Sequence, residues 1–243
     1  MKQLYKYKSL STVQDVSRFA DIILTHKIYL PTRTELNDPL EGAALPLLNY
    51  AVMGQWYYGA QHKVHAITEE RLNQYRILSL SADGKNLQLW AHYAGNYTGA
   101  CIEFAANKTF SSAKPVDYIE SRPEGSFEDP AIEFVDQLVK ESYFKKSFGW
   151  QYEHEYRLIV SIDNPFLSFD RDEITAVHLG HNINPHVRDY IVEICRNQQI
   201  PVYSTWYGDA DYTLHLVDVD AVIQQVYNDG TDILDFGKGR TFN

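Results

Sequence analysis

Two carboxylates two residues apart, Glu153 and Glu155, stand in the run Trp150-Gln151-Tyr152-Glu153-His154-Glu155-Tyr156-Arg157-Leu158-Ile159-Val160. Aromatic and β-branched residues dominate this run, so it reads as a β-strand with alternating faces. Gln151, Glu153, Glu155 and Arg157 then share one face, and the carboxylates lie about 7 Å apart by strand rise. Like charges at that spacing raise one another's pKa, and the Arg157 guanidinium beyond them lowers it. A polar face that runs into Leu158-Ile159-Val160 holds charge beside a core, which marks a candidate site. The plainer reading is a solvated strand face with a cross-strand ion pair.

Two other polar strand faces can join this one. Lys6 and Lys8 share a face of the first strand, read over Leu4–Leu10. Ser79 and Ser81 share a face of the strand Ile77–Ser81. The loop 34–42 places Asn37 and Asp38 where their side chains can bond the backbone ahead, before Pro39 fixes a turn. It reads either as a plain turn or as a pocket-shaping loop. Trp90, His92 and Tyr93, on a short helix begun at Asn86, offer flat surfaces with polar tips, suited to a pocket wall or to ordinary packing.

The elements that must position these groups follow in order. A helix capped by Ser11 or Thr12 carries Val13, Val16, Phe19, Ala20 and Ile23 at helical spacing. Ile28–Leu30 is a strand, and 43–75 reads as mostly helical. Strands follow at 99–104 and 116–119, then a polar loop at 120–129 and an amphipathic helix at 130–146. Beyond the Trp150–Val160 strand, 174–179 is a strand and Pro185 opens a helix to about Asn197. Strands at 201–205 and 212–217 and a helix at 221–226 close the chain. The unit within 174–226 is βαβ-like but lacks a glycine-rich phosphate fingerprint. The expected fold is α+β: a single domain over 1–243, with a mixed, twisted sheet flanked by helices.

Composition narrows the function. The chain has 243 residues, 44% apolar and 14% aromatic, enough for a real core and against disorder. A net charge of −10 disfavours broad binding to nucleic acid. Cys101 and Cys195 form no disulfide framework or paired-cysteine metal motif, and the His pairs 62/65 and 178/181 lack a third ligand at diagnostic spacing, so no metal is expected. No signal peptide or membrane span is read, so a cytoplasmic protein with no membrane partner is expected.

The order base, serines, glutamate pair resembles the arginine–serine–glutamate pattern of bacterial-toxin-type mono-ADP-ribosyltransferases. The resemblance implies NAD as co-substrate, with a base of the first strand on its phosphates. It also implies a serine strand supporting the nicotinamide pocket, and a last glutamate stabilising the ribosyl cation. Lys6 or Lys8 stands where that family has Arg, a real change at a bidentate phosphate site, and Ser79-Leu80-Ser81 lacks the central Thr. Both Glu153-x-Glu155 and Gln151-x-Glu153 fit the final motif.

A second resemblance covers roughly residues 4–180. Leu4-Tyr5-Lys6-Tyr7-Lys8-Ser9, Asn37-Asp38-Pro39-Leu40-Glu41, Leu89-Trp90-Ala91-His92-Tyr93, Gly99–Phe104 and Trp150–Arg157 are similar, in this order, to a bacterial domain-of-unknown-function family that includes AbiG-type abortive-infection proteins. That family has Arg where Lys8 stands, which makes Lys8 the counterpart of the phosphate-contacting base. It implies a toxin or effector in phage defence, an unknown protein or nucleic-acid acceptor, and an antitoxin or immunity partner. Two alternatives remain open from the residues: a non-catalytic binding module, and a metal-dependent nuclease using Asp38, Glu153 and Glu155, with Arg157 where a lysine is usual.

Overall fold

The structure is a computed structural model that describes residues 2–38, 70–121, 137, 139–207 and 213–221, with short strand segments at 47–48, 51–52, 55–56 and 124–125. The fold is mixed α/β, and its largest element is a mixed sheet of eight strands. We number these in chain order: β1 (Gln3–Lys8), β2 (Tyr75–Ser81), β3 (Ala100–Ala105), β4 (Lys114–Pro115), β5 (Glu155–Ser161), β6 (Ile174–Leu179), β7 (Val202–Tyr207) and β8 (Leu214–Asp218). The helices are α1 (Val13–Thr25), α2 (Leu87–Tyr93) and α3 (Pro185–Asn197). By compactness the chain divides into two units, each built from interleaved stretches of sequence.

The first unit comprises 1–27, 80–112 and 168–243. Its strands run β8–β7–β6–β3–β1, with the end of β2 beside β1 through the pair Tyr5 and Ser81. Among the described strands there, only β6 and β7 are parallel, and α3 connects them, so the expected βαβ unit is present. Thr12 caps α1 in a capping box with Asp15, and Asn184 caps α3 with Pro185 at its start. Phe104, Phe110 and Phe169 meet at ring distances of 4.3–5.5 Å in the core. Cys101 and Cys195 are free and buried.

The second unit comprises 28–79 and 113–167. Its sheet strands run β2–β5–β4. Its core gathers Leu72, Ile77, Val139 and Tyr143, with Leu36, Tyr75 and Ile159 packed against them.

The structure corrects three readings. The described segments within 43–75 include strands at Leu47–Leu48, Ala51–Val52 and Gln55–Trp56, with helix only at 70–72. The helix expected at 130–146 is described only at 137 and 139–142; it gives way to a turn and to a strand, Lys145–Ser147, that pairs with Asp117–Ile119. The Trp150–Val160 strand is the main correction. Phe148–Glu153 is a 3-10 helix, His154 sits in the left-handed region at φ 44°, and the strand begins at Glu155. Histidine tolerates that conformation better than a β-branched residue would. It breaks the alternation, so Gln151 and Glu153 do not share a strand face with Glu155. Residues 222–243, Pro39 to Gly42, His62 and His65 lie outside the described residues, as does the helix expected at 221–226 beyond Ala221.

Candidate functional site

The second unit holds a buried charge cluster. Arg157, on β5, donates from Nε to Glu155 Oε1 at 2.6 Å and from Nη2 to Oε2 at 2.9 Å, a bidentate grip. Lys146 Nζ reaches Glu155 Oε2 at 3.1 Å and Glu153 Oε2 at 2.6 Å. The Ser79 hydroxyl, on neighbouring β2, also bonds Glu155. Arg157 donates its remaining Nη1 to the Tyr143 carbonyl at 2.6 Å. Tyr118 Oη accepts the Glu155 backbone N–H at 2.8 Å, and Lys146 lies 4.8 Å from the Trp150 ring centroid.

The 3-10 turn explains how both glutamates meet one lysine. A strand would hold Glu153 and Glu155 apart along one edge. The turn and the left-handed His154 fold Glu153 back, so Lys146 bridges the pair. Glu155 is 4% exposed and Arg157 1%. Two cations against two carboxylates neutralise the cluster, which is how buried charge is tolerated.

Electrostatics fixes the protonation state. Burial alone would push the Glu155 carboxyl up, but Arg157 and Lys146, with the Ser79 hydrogen bond, bring it down to about 2. Burial works against the Lys146 charge, and Glu155 and Glu153 outweigh it and raise its pKa. Burial first, then the carboxylates, pushes Tyr118 up to about 12. Because the folded value of Glu155 lies below its ordinary 4.5, the stability it contributes is complete above about pH 4.5. That contribution should disappear as pH falls toward 2. Urea unfolding between pH 5 and 2.5 should show this loss, and Glu155→Gln should flatten it; equal slopes for the two proteins would count against an ionised Glu155.

The candidate residues therefore separate. Ser79, Glu153, Glu155 and Arg157 are brought together. Asn37 and Gln151 are exposed, and Asp38 is buried; all three belong to the same unit. Among the described residues no group of three or more His, Cys, Asp or Glu side chains is placed to hold a metal ion, so Asp38, Glu153 and Glu155 do not form the nuclease set. Lys6, Lys8, Ser81, Trp90, His92 and Tyr93 belong to the first unit.

There, burial and then Arg18 push the Lys8 ammonium down, partly offset by Asp15. Ser81 accepts the Asp83 N–H at 3.0 Å. Trp90 is fully buried and so is a core residue rather than a pocket wall. Its Nε1 donates to the Gly84 carbonyl at 3.0 Å, and its ring stacks on Tyr97. His92 is exposed and Tyr93 half-buried.

Sequence reasoning missed Lys146, Tyr118 and Tyr143. Lys146 was assigned to a helix, and only the Lys145-Lys146 pair just before an aromatic, glycine-bearing stretch hinted otherwise. Also missed was Glu103 of β3, which accepts from Gln3 at 2.7 Å and Thr175 at 2.6 Å and lies 3.3 Å from His178 Nε2.

The fold and cluster thus define a mixed α/β protein with a buried glutamate–lysine–arginine network. A family model described as a protein of unknown function, DUF2971, matches residues 89–158, a stretch that runs from α2 into β5 and includes Lys146, Glu153, Glu155 and Arg157. No curated protein and no solved structure matches the chain. No described helix is long and apolar enough to cross a membrane.

Proposed function

We propose that this chain is an NAD-cleaving enzyme of the ADP-ribosyltransferase kind, acting as an effector or toxin in phage defence. The observation that supports the reading best is the hydrogen bond from Ser79 to Glu155, a carboxylate that its cationic neighbours keep ionised near neutral pH. It joins the serine strand to the glutamate, as that chemistry needs. In the reaction the bond between nicotinamide N1 and ribose C1′ breaks, and its electron pair leaves with nicotinamide. Glu155 faces the positive charge that develops on the ribose. The acceptor nucleophile then bonds C1′, and Glu153 takes its proton. Arg157 holds Glu155 charged and oriented. Lys146, whose 3.1 Å contact is longer than either Arg157 contact to that carboxylate, yields its place to the sugar. The acceptor is a protein or nucleic acid, and an immunity partner holds the enzyme in check.

A second reading has its own observation. Glu155 is 4% exposed and both its oxygens are already engaged, which suits a purely structural cluster in a non-catalytic binding module. Nicotinamide release from NAD by the purified chain separates the two. Wild type should release nicotinamide, and Ser79→Ala should slow release about tenfold, the scale of one lost hydrogen bond. No release by wild type with protein, RNA or DNA acceptors present supports the binding module.

A further inference from the structure

The geometry points to a second ligand site in the first unit, at the carboxyl ends of the parallel pair β6 and β7, for a flat heteroaromatic ring that carries an N–H donor. Three buried polar atoms gather in this part of the unit with no partner among the described residues: His178 Nδ1, Thr205 Oγ1 and His181 Nδ1. Buried polar atoms are normally satisfied, so three together call for an explanation. His178 is 2% exposed and Thr205 1%.

Strand register places the first two on one face. His178 pairs with Tyr203, and their rings lie 5.9 Å apart. Thr205 and Tyr207 follow Tyr203 on the same face by alternation. His181 sits in the turn just past β6, and its ring centroid is 4.8 Å from that of Tyr207 and 4.8 Å from that of Tyr97. In open α/β sheets, ligands bind beyond the carboxyl ends of parallel strands, where this cluster stands.

The chemistry of the ligand follows from the atoms. His178 Nε2 faces Glu103 Oε2 at 3.3 Å, and the bond to this carboxylate lowers the Glu103 pKa. Nε2 therefore carries the proton, and in the neutral ring Nδ1 is left as an acceptor. An acceptor fixed deep in the site asks for a donor. The neighbouring Glu103 carboxylate disfavours an anion. Tyr97, His181 and Tyr207 supply π surface for a flat ring.

The support of this surface is strained. Gly95 adopts φ 57° freely, but Asn96 and Tyr97 follow it with φ of 54° and 66°. That conformation costs free energy for a tyrosine, and such residues collect at functional sites. The strain is held by backbone bonds, Asn182 N–H to the Tyr97 carbonyl at 3.1 Å and Gly180 N–H to the Gly99 carbonyl at 2.9 Å. The approach is so close that a Cβ on Gly180 would lie 2.1 Å from the Tyr97 oxygen.

The test is titration of the full chain, followed by long-range proton–nitrogen NMR of the histidine rings. The probes are 9-methyladenine, which carries an amino donor, and 6-methoxy-9-methylpurine, which has no N–H. Saturable shifts of the His178 and His181 Nδ1 resonances with 9-methyladenine are expected, and binding of the methoxy compound at least about tenfold weaker. Thr205→Val, nearly isosteric, and His181→Phe, in the half-exposed turn, should each weaken 9-methyladenine binding by a similar factor. Absence of any saturable shift at millimolar probe, with ordered water as the only partner of these atoms, overturns the site. Equal affinity in wild type and both folded variants overturns it as well, because the purine then binds elsewhere.

Discussion

Arg157→Met should cost the protein about 3–5 kcal/mol, the scale for removing one member of a buried ion pair. The guanidinium is 1% exposed, and its acceptors include both Glu155 oxygens and the Tyr143 carbonyl. Methionine keeps the length and loses every donor. Glu155 is then left buried with Lys146 and Ser79, in a cluster one positive charge short. The Tyr143 carbonyl loses the Arg157 donor too, and the Tyr143 ring is fully buried in the second unit's core. Urea unfolding of wild type and variant at pH 7 measures the difference. Adding Glu155→Met to Arg157→Met should recover much of the loss, since an apolar replacement of a whole buried pair is often near neutral. A loss under about 1 kcal/mol for the single change would mean that water reaches the cluster. The exposed set Lys108 with Asp170 and Asp172 marks the opposite limit, where solvent screening leaves ion pairs little net effect.

Local signals carried much of this fold. Thr12 before an apolar 3.6-residue period gave α1, and Asn184-Pro185 gave α3, because caps act within one turn. The strand at 174–179 was readable because six residues in a row suit a buried strand. The site was harder. Gln151 to Arg157 has a strand's composition, but the fold-back at Glu153 depends on Lys146 and on a left-handed His154, and neither leaves a periodic mark. Alternation survives on β2, which carries Ser79, whereas the sequence leaves Trp90 open between pocket wall and ordinary packing, because a buried tryptophan and a pocket tryptophan look alike there. Glu103 and His178 could not be paired in advance. They are 75 positions apart, and a bulge between Ile174 and Ala176 shifts the register that joins their strands.

Glu155→Gln should lower NAD cleavage by at least about 10²-fold, the scale for removing one preorganised electrostatic partner. Glutamine keeps the shape and one acceptor oxygen, so the loss of charge is the main change. It also leaves Lys146 and Arg157 sharing a single carboxylate, so the rate must be expressed per folded molecule. Glu153 is held by Lys146 at 2.6 Å. Its proposed part is with the acceptor, so Glu153→Gln should cut transfer to an acceptor more than plain hydrolysis of NAD. If Gln151-x-Glu153 is the functional register, the two phenotypes exchange: Glu153→Gln lowers cleavage and Glu155→Gln cuts transfer more than hydrolysis. Nicotinamide release and transfer of labelled ADP-ribose, each normalised to folded protein, tell these outcomes apart. Cleavage unchanged in both folded variants would remove the two carboxylates from the chemistry, and the cluster would then stand as the charged core of a binding module.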